Sequence, residues 1–368
     1  MKQEIKQERL LSLDVLRGFD MFFLVGVGDI LRRLLGTIDS DATHYIMYQL
    51  EHAEWIGFTA WDIIMPLFLF TSGLSMSFSF DKQRSKGLTT LQLHKKVLRR
   101  FFILFFLGWI VQGNLLDLNP DVFHVYCNTL HAIAVGYLIT ALIVLNTDKL
   151  STQMHWGCGL LVLYWGLLTF VPVPGYGSGV FTPEGNLSMY IDTLLLGTFR
   201  DGTQYTWVLS SLGFGATVFS GYGVGYLMGK PMHPMQKLKI LLLLGAGLIV
   251  AGLLLSLQIP IIKKIWSPSM VFFSSGICTL LLAFFYWITD MLKINSWWTK
   301  SLRYLGLNAI AAYLLYTVMG LDLVSALLLR GTEQYLGDLF PFIVSLGQFI
   351  LLFLMIRFMY KHKIFLKV

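Results

Sequence analysis

A succession of long apolar runs, broken by few charges, constrains this chain more than any other feature. About ten of them are long enough to cross a bilayer as helices. They run Leu11–Leu35, Ile56–Phe80, Val97–Gly113, Cys127–Leu145, Met154–Val171, Thr206–Gly229, Leu238–Leu257, Pro268–Thr289, Leu302–Leu321 and Leu339–Tyr360. Lipid offers the backbone no hydrogen-bond partner, so each run is expected to be helical. The runs are also too continuous for barrel strands, which would alternate. Charged residues make up only 13% of the 368, against about 25% in a soluble domain. The expected fold is therefore all-α: a polytopic membrane helix bundle of about ten transmembrane helices, one domain over residues 1–368. No internal repeat is visible, so an inverted-repeat transporter architecture gains no support.

Charge orients the bundle. With the N-terminus inside and the spans alternating, the inner segments hold Lys2, Lys6 and Arg9, the cluster from Lys82 to Arg100, and most other basic residues. The outer segments hold only Arg200, Lys263, Lys264 and Arg330, and Arg17, Arg32, Arg33 and Arg357 lie within spans. This bias puts both termini in the cytoplasm. It also accounts for the net charge of +7, so no nucleic-acid partner is expected. Met1–Leu10 is polar and lacks the apolar core of a removable signal peptide. Cys127, Cys158 and Cys278 show no metal-ligand spacing, so neither a metal nor a disulfide framework is expected.

The candidate chemistry starts at Glu51-His52-Ala53-Glu54-Trp55-Ile56-Gly57-Phe58-Thr59-Ala60-Trp61-Asp62. An imidazole can serve as a base or nucleophile near neutral pH, and Glu51 and Glu54 are placed to orient it. A solvated interfacial histidine is the plainer alternative. Asp62 lies inside the apolar run, where an ionisable group costs about 2.5–3.5 kcal/mol and marks function by default. In the first span Asp14, Arg17 and Asp20 share a helix face. They form either a structural ion-pair network or, with Arg99, Arg100, Lys300 and Arg303, a cytoplasmic site for a phosphate-bearing ligand. Asp29 follows Gly26 and Gly28, and local pairing with Arg32 or Arg33 is its simpler account. Asn308 is either interhelical glue or a ligand-orienting amide. His131, near the outer end of the fourth span, is placed to line the same cavity as His52. Val171–Tyr205 is a long Gly- and Pro-rich connection without evident structure of its own. Its Tyr176, Phe181, Tyr190 and Tyr205 suit sugar faces or interfacial anchoring.

Separated stretches together resemble one family. They are Ser12-Leu13-Asp14-Val15-Leu16-Arg17-Gly18, the segment from His52 to Asp62 followed by Pro66, Lys263-Lys264-Ile265-Trp266-Ser267-Pro268-Ser269, and Leu305-Gly306-Leu307-Asn308-Ala309-Ile310 with the ending Tyr360–Phe365. In this order they resemble bacterial members of the heparan-α-glucosaminide N-acetyltransferase family of transmembrane acetyltransferases.

The resemblance implies transfer of an acetyl group from cytoplasmic acetyl-CoA to the amine of a glucosamine-type sugar or glycan across the membrane. It implies a bacterial inner membrane as the location and allows a homodimer. The family's catalytic histidine carries over to His52, with Asp62 and Asp29 as catalytic candidates beside it. The family often has an asparagine in the first helix where this chain has Gly28; either Asp29 substitutes or that role is absent. CoA phosphates would meet Asp14, Arg17, Arg99, Arg100, Arg303 and Asn308. Glu51, Trp55, His131, Lys264 and Trp266 are candidates for acceptor contact, with lipid anchoring the alternative for Lys263 and Lys264. Delivering a cytoplasmic thioester to an outer histidine predicts a polar channel lined by Asp14, Arg17, Asp62 and Asn308. An envelope-glycan O-acetyltransferase and a sugar or lipid-intermediate transporter are the rival functions.

Overall fold

A computed structural model describes residues 10–366; Lys2, Lys6, Arg9 and Lys367, used in the charge argument, lie outside them. Among the described residues the only β feature is an isolated antiparallel bridge between Val173 and Gly177. The first span is α1 (Leu11–Phe22), a π-helical turn (Phe23–Val27) and α2 (Gly28–Leu35). A short α3 (Asp41–Gln49) precedes α4 (Ile64–Ser85), α5 (Thr90–Val111), α6 (Thr129–Asn146) and α7 (Leu150–Phe170). After α8 (Leu187–Leu196) come α9 (Ser211–Gly229), α10 (Pro234–Ser256) and α11 (Pro268–Phe285). The chain closes with α12 (Trp297–Leu307), α13 (Ala309–Val318), α14 (Leu321–Leu329), α15 (Glu333–Leu336) and α16 (Phe340–Lys361).

The fold is the polytopic helical bundle that the hydropathy required. By length and composition alone, 5 helical stretches among the described residues suffice to cross a membrane. Charges and breaks set several others apart. The first span carries Asp14, Arg17 and Asp20 and contains the π turn, and the ninth is interrupted at Asn308, whose backbone leaves the helical region (φ −123°, ψ 35°). The last stretch, Leu321–Lys361, doubles back on itself. Ser325 Oγ donates to the Val344 carbonyl at 2.7 Å, which lays α14 against α16.

Close approach of small residues sets the packing of the centre. Within the most apolar window of each span, 72% of the α4 stretch is buried against 17% for α10, so α4 is central and α10 faces lipid. Gly73 of α4 sits against the Val218 carbonyl of α9, and Gly221 of α9 sits against the Phe70 carbonyl of α4. A side chain at either position would meet backbone that cannot yield, and such small-residue contacts drive helix association in lipid. Gly73→Val is therefore expected to destabilise the bundle by about 1–3 kcal/mol, the usual cost of overpacking. Thermal unfolding in detergent checks this, and an unchanged midpoint would contradict the close approach.

Two sequence expectations need correction. The second span does not become α-helical at Ile56. Residues 50–59 are irregular, and α4 begins at Ile64 after a 3₁₀ turn over Ala60–Ile63. The cause is local: the Asp62 carboxylate takes the Thr59 N–H at 3.1 Å, which caps the turn, and Pro66 is tolerated in the first helical turn that follows. Val171–Tyr205 is not structureless, because it contains α8, whose buried Asp192 accepts the Trp207 and Val208 N–H groups at 2.6 and 3.0 Å. Thr37–Trp55, which joins the first two apolar runs, likewise contains a helix, α3, capped by Ser40.

The segments assigned to the outer side gather at one end of the bundle. Gly57 N–H donates to Ile261 O (2.9 Å), Thr206 N–H to Lys264 O (2.9 Å), and Trp55 Nε1 to Phe181 O (2.6 Å). Elsewhere the start of α1 is tied to Asp290, and Leu366 N–H donates to Asn308 Oδ1 at 3.2 Å.

Candidate active site

The irregular stretch before α4 wraps His52 onto the carboxylate that caps the helix entrance. Asp62 is fully buried, and its oxygens are surrounded by donors. Oδ2 receives the N–H groups of Ala53 (3.2 Å) and Thr59 (3.1 Å), while Oδ1 lies 2.8 Å from His52 Nδ1 and 3.2 Å from Lys263 Nζ. Thr59 Oγ1 reaches the Glu51 carbonyl at 2.5 Å, which fixes the backbone just before His52. A carboxylate with this many donors is held in its charged, acceptor form.

The tautomer of His52 follows from these distances. A separation of 2.8 Å between Nδ1 and a carboxylate oxygen requires a proton between them, so Nδ1 is the donor. Lys263 Nζ is 3.0 Å from the same nitrogen, but Nδ1 has no lone pair left to accept from it, so the ammonium donates to Asp62 Oδ1. The lone pair is then on Nε2, on the far side of a ring that is 41% exposed. Burial pushes the His52 pKa below the ordinary imidazole value; the neighbouring Lys263 and Arg32 charges act the same way, against the pull of Asp62. The ring is thus neutral at neutral pH, with a free basic nitrogen. Burial likewise brings the Lys263 ammonium down to about 8, opposed by Asp62.

The loop that brings Lys263 to this point is clamped from several directions. Tyr164 Oη and Ser210 Oγ both donate to the Ile265 carbonyl, and Ser267 Oγ and Ser269 Oγ both donate to the Pro260 carbonyl. Trp266 takes a positive φ of 50°, a conformation a bulky residue adopts only when its surroundings impose it.

The other residues singled out in the sequence are placed as follows. Tyr205 meets the His52 ring edge-on, with centroids 6.2 Å apart. Lys264 Nζ lies 6.0 Å from the centroid of the Trp55 ring and donates to Gln204 Oε1 at 2.7 Å. Glu51 is exposed. Trp266 is core instead: it is 1% exposed, and its Nε1 donates to Thr217 Oγ1. His131 is also buried, with Nε2 donating to Phe105 O at 2.9 Å and Nδ1 accepting from Cys127 N–H, so neither ring nitrogen is available to a ligand. Asp29 pairs through Oδ1 with Arg32 at 3.0 Å and accepts from Tyr316 at Oδ2, so both carboxylate oxygens are engaged there. The Trp61 ring fills the space a side chain at Gly28 would need.

A cavity of about 340 Å³ lies inside the bundle. Its wall includes Arg17, Arg100, Thr71, Ser72, Tyr313 and the tail residues Phe365 and Leu366, and extends to Ile64, two positions beyond Asp62. Of the residues expected to line a channel, Arg17 does so and Asp14, Asp62 and Asn308 do not. Asn308 instead holds the tail: its Nδ2 donates to Ile364 O and its Oδ1 accepts Leu366 N–H. Asp14 is buried beside Arg303, 3.9 Å away. Arg99 is exposed, while Arg100 turns inward over the Tyr137 ring, 4.1 Å from its centroid, and its Nε has no hydrogen-bond partner.

Lys263 is the residue that sequence reasoning left unresolved between substrate contact and lipid anchoring. The available signal was its sign: a lysine pair in an outer segment runs against the charge bias, and one member is buried against a carboxylate.

The same region of the chain is similar to known proteins. Residues 9–173, which include His52 and Asp62, match the family model described as heparan-α-glucosaminide N-acetyltransferase, catalytic. The chain is 24% identical to the heparan-α-glucosaminide N-acetyltransferase of Mus musculus over 87% of its length, and 24% identical to that of Homo sapiens over 98%. It spans 57% and 60%, respectively, of the length of these curated relatives. The His52–Asp62 pair thus lies inside the matched region, and the similarity to the heparan-α-glucosaminide N-acetyltransferases runs on through the later helices.

Proposed function

We propose that this protein is a membrane acetyltransferase of the bacterial inner membrane. It takes an acetyl group from cytoplasmic acetyl-CoA and transfers it to the amine of a glucosamine-type sugar at the outer face. The observation that carries this reading is the His52–Asp62 pair, with Nε2 left free on a ring that is 41% exposed, in the segment matched by the catalytic family model. The relatives' printed names supply the transferred group and the acceptor class.

The internal cavity suits the donor. CoA is polyanionic, and Arg17 and Arg100 place positive charge on the cavity wall, with the Arg100 Nε unpartnered. Thr71, Ser72 and Tyr313 line the same cavity and offer hydroxyls to a narrow pantetheine arm, and the wall continues to Ile64. At the outer end, Nε2 serves one of two routes. As a base it acts on the sugar amine, whose ammonium form has already released one proton to water: Nε2 takes a second proton as the nitrogen attacks the thioester carbon, the C–S bond breaks and the CoA thiolate leaves with that second proton. As a nucleophile it attacks the thioester carbon itself, expels CoA and passes the acetyl group to the amine in a second step. In both, Asp62 holds Nδ1–H and stabilises the cationic imidazole that forms. Rapid-quench mass spectrometry for acetyl on His52 separates the routes.

The direct test is mass spectrometry of the product formed from labelled acetyl-CoA with glucosamine and with a sugar that offers only hydroxyls. Labelled N-acetylglucosamine is the expected product. Acetylation of the hydroxyl-only sugar alone would make it an O-acetyltransferase, and sugar flux without acetyl-CoA would make it a transporter. Arg100→Ala is expected to weaken acetyl-CoA binding by about tenfold or more, since a charge-assisted contact contributes about 1.5–3 kcal/mol. The measurement is KM for acetyl-CoA, and an unchanged KM would remove Arg100 from donor binding.

A further inference from the structure

The proposed transfer does not by itself explain why a lysine lies 211 residues further along the chain and against the catalytic pair. Lys263 is 5% exposed and reaches Asp62 Oδ1 at 3.2 Å and the edge of His52 at 3.0 Å. Its loop is fixed by Tyr164, Ser210, Ser267 and Ser269, so the ammonium is held in place rather than recruited. Removing an ammonium from water is unfavourable by several kcal/mol unless its surroundings compensate. An apolar residue would pack the same space without that penalty. The charge itself is therefore the property that needs explaining.

We infer that Lys263 is a positioning residue for the transfer: it shares Asp62 Oδ1 with His52 and so holds the imidazole as its neutral Nδ1–H tautomer, with Nε2 on the exposed side of the ring. Alone, Asp62 would attract a second proton onto the ring and give an imidazolium, which is neither base nor nucleophile. The ammonium cancels that attraction while leaving the Nδ1–H···Oδ1 bond in place. The Arg32 charge acts in the same direction, but less strongly than Lys263. The Arg32 guanidinium, reaching from α2, is paired with Asp29 and donates to Leu50 O. Tyr205 contributes a ring edge, and Glu51 and Glu54 on the histidine's own segment are exposed. Lys264 is engaged by Gln204.

The inference rests on the acetyltransferase reading for its purpose, but its test does not. Diethyl pyrocarbonate modifies only unprotonated imidazole, and peptide mass spectrometry reads His52 apart from the other histidines. In the native protein the rate at His52 should fall with a midpoint below about 6.5, the ordinary imidazole value. In Lys263→Met the uncompensated carboxylate should raise that midpoint by about one unit, lowering the ratio of the pH 6 rate to the pH 8 rate roughly threefold to tenfold. Lys263→Arg should restore the native midpoint, and the acid limb of kcat/KM should move in parallel. Lys263→Gln removes the charge but keeps a donor, so it stands in if the methionine variant fails to fold. A native midpoint at or above the ordinary value would overturn the inference. So would an unmoved midpoint in a folded neutral variant, because a lysine serving only as a structural counter-ion would change the melting temperature and leave His52 unaffected. Acetyl transfer with an immobile midpoint sinks the role of Lys263 alone. A mobile midpoint without acetyl transfer sinks the enzymatic reading and leaves the charge coupling standing.

Discussion

His52→Ala is expected to lower acetyl transfer to glucosamine by at least about a hundredfold to ten-thousandfold, the range over which a positioned general base acts. The loss should be larger if the imidazole carries the acetyl group itself, because no neighbouring side chain could replace the nucleophile. The ring is partly exposed and contributes little to the core, so the variant should keep its melting temperature. Its product, quantified by mass spectrometry against the native protein at equal folded concentration, is the deciding quantity. Transfer at the native rate in folded His52→Ala would remove this residue from the chemistry, and the whole site described above with it.

Asp62→Asn should reduce both stability and turnover, and for separable reasons. The carboxylate is fully buried and receives Lys263, His52, Ala53 and Thr59. An amide keeps the volume but leaves the Lys263 ammonium without a counter-charge. Breaking a buried ion pair from one side is destabilising by about 3–5 kcal/mol. The amide also presents either a donor or a weaker acceptor to Nδ1, so the imidazole loses its fixed tautomer. In hydrolases with a buried aspartate behind the histidine, the same change lowers turnover by about 10⁴. Combining Asp62→Asn with Lys263→Met removes both charges and should recover much of the lost melting temperature without recovering turnover. Native turnover in Asp62→Asn would show that the pairing is structural only.

Much of the architecture is readable before any coordinates. Each apolar run has a helix where it was expected, often within a few residues, as with Thr129–Asn146 for the run Cys127–Leu145 and Phe340–Lys361 for Leu339–Tyr360. The misplaced boundaries share a cause. At Ile56 hydrophobicity continues, but the capping of the turn by Asp62 delays the α-helix to Ile64, and composition does not register a cap formed by an irregular loop. The segments Thr37–Trp55 and Val171–Tyr205 hide α3 and α8 because glycine, proline and charge make them look like connections, whereas side-chain caps at Ser40 and Asn186 start short helices there.

The site divides in the same way. His52 and Asp62 lie ten residues apart in sequence, and an imidazole beside an intramembrane carboxylate is legible as a chemical arrangement. Trp266 and His131 look like ligand contacts from residue type alone, yet both are buried with their ring nitrogens occupied. Asn308 is a polar residue in an apolar span, and its partner proved to be the backbone of the chain's own tail.

By itself the sequence determined the helical class and the approximate spans, and it singled out His52 and Asp62 as candidates, because a bilayer leaves the backbone one economical conformation and makes every embedded charge conspicuous. Only the tertiary structure decided what surrounds that histidine. Hydropathy says where a segment lies relative to lipid but nothing about which loops meet at the end of a bundle. The ammonium that shares the carboxylate with His52 arrives from a loop whose course is set by hydroxyls on other helices, through contacts that have no local signature in the chain.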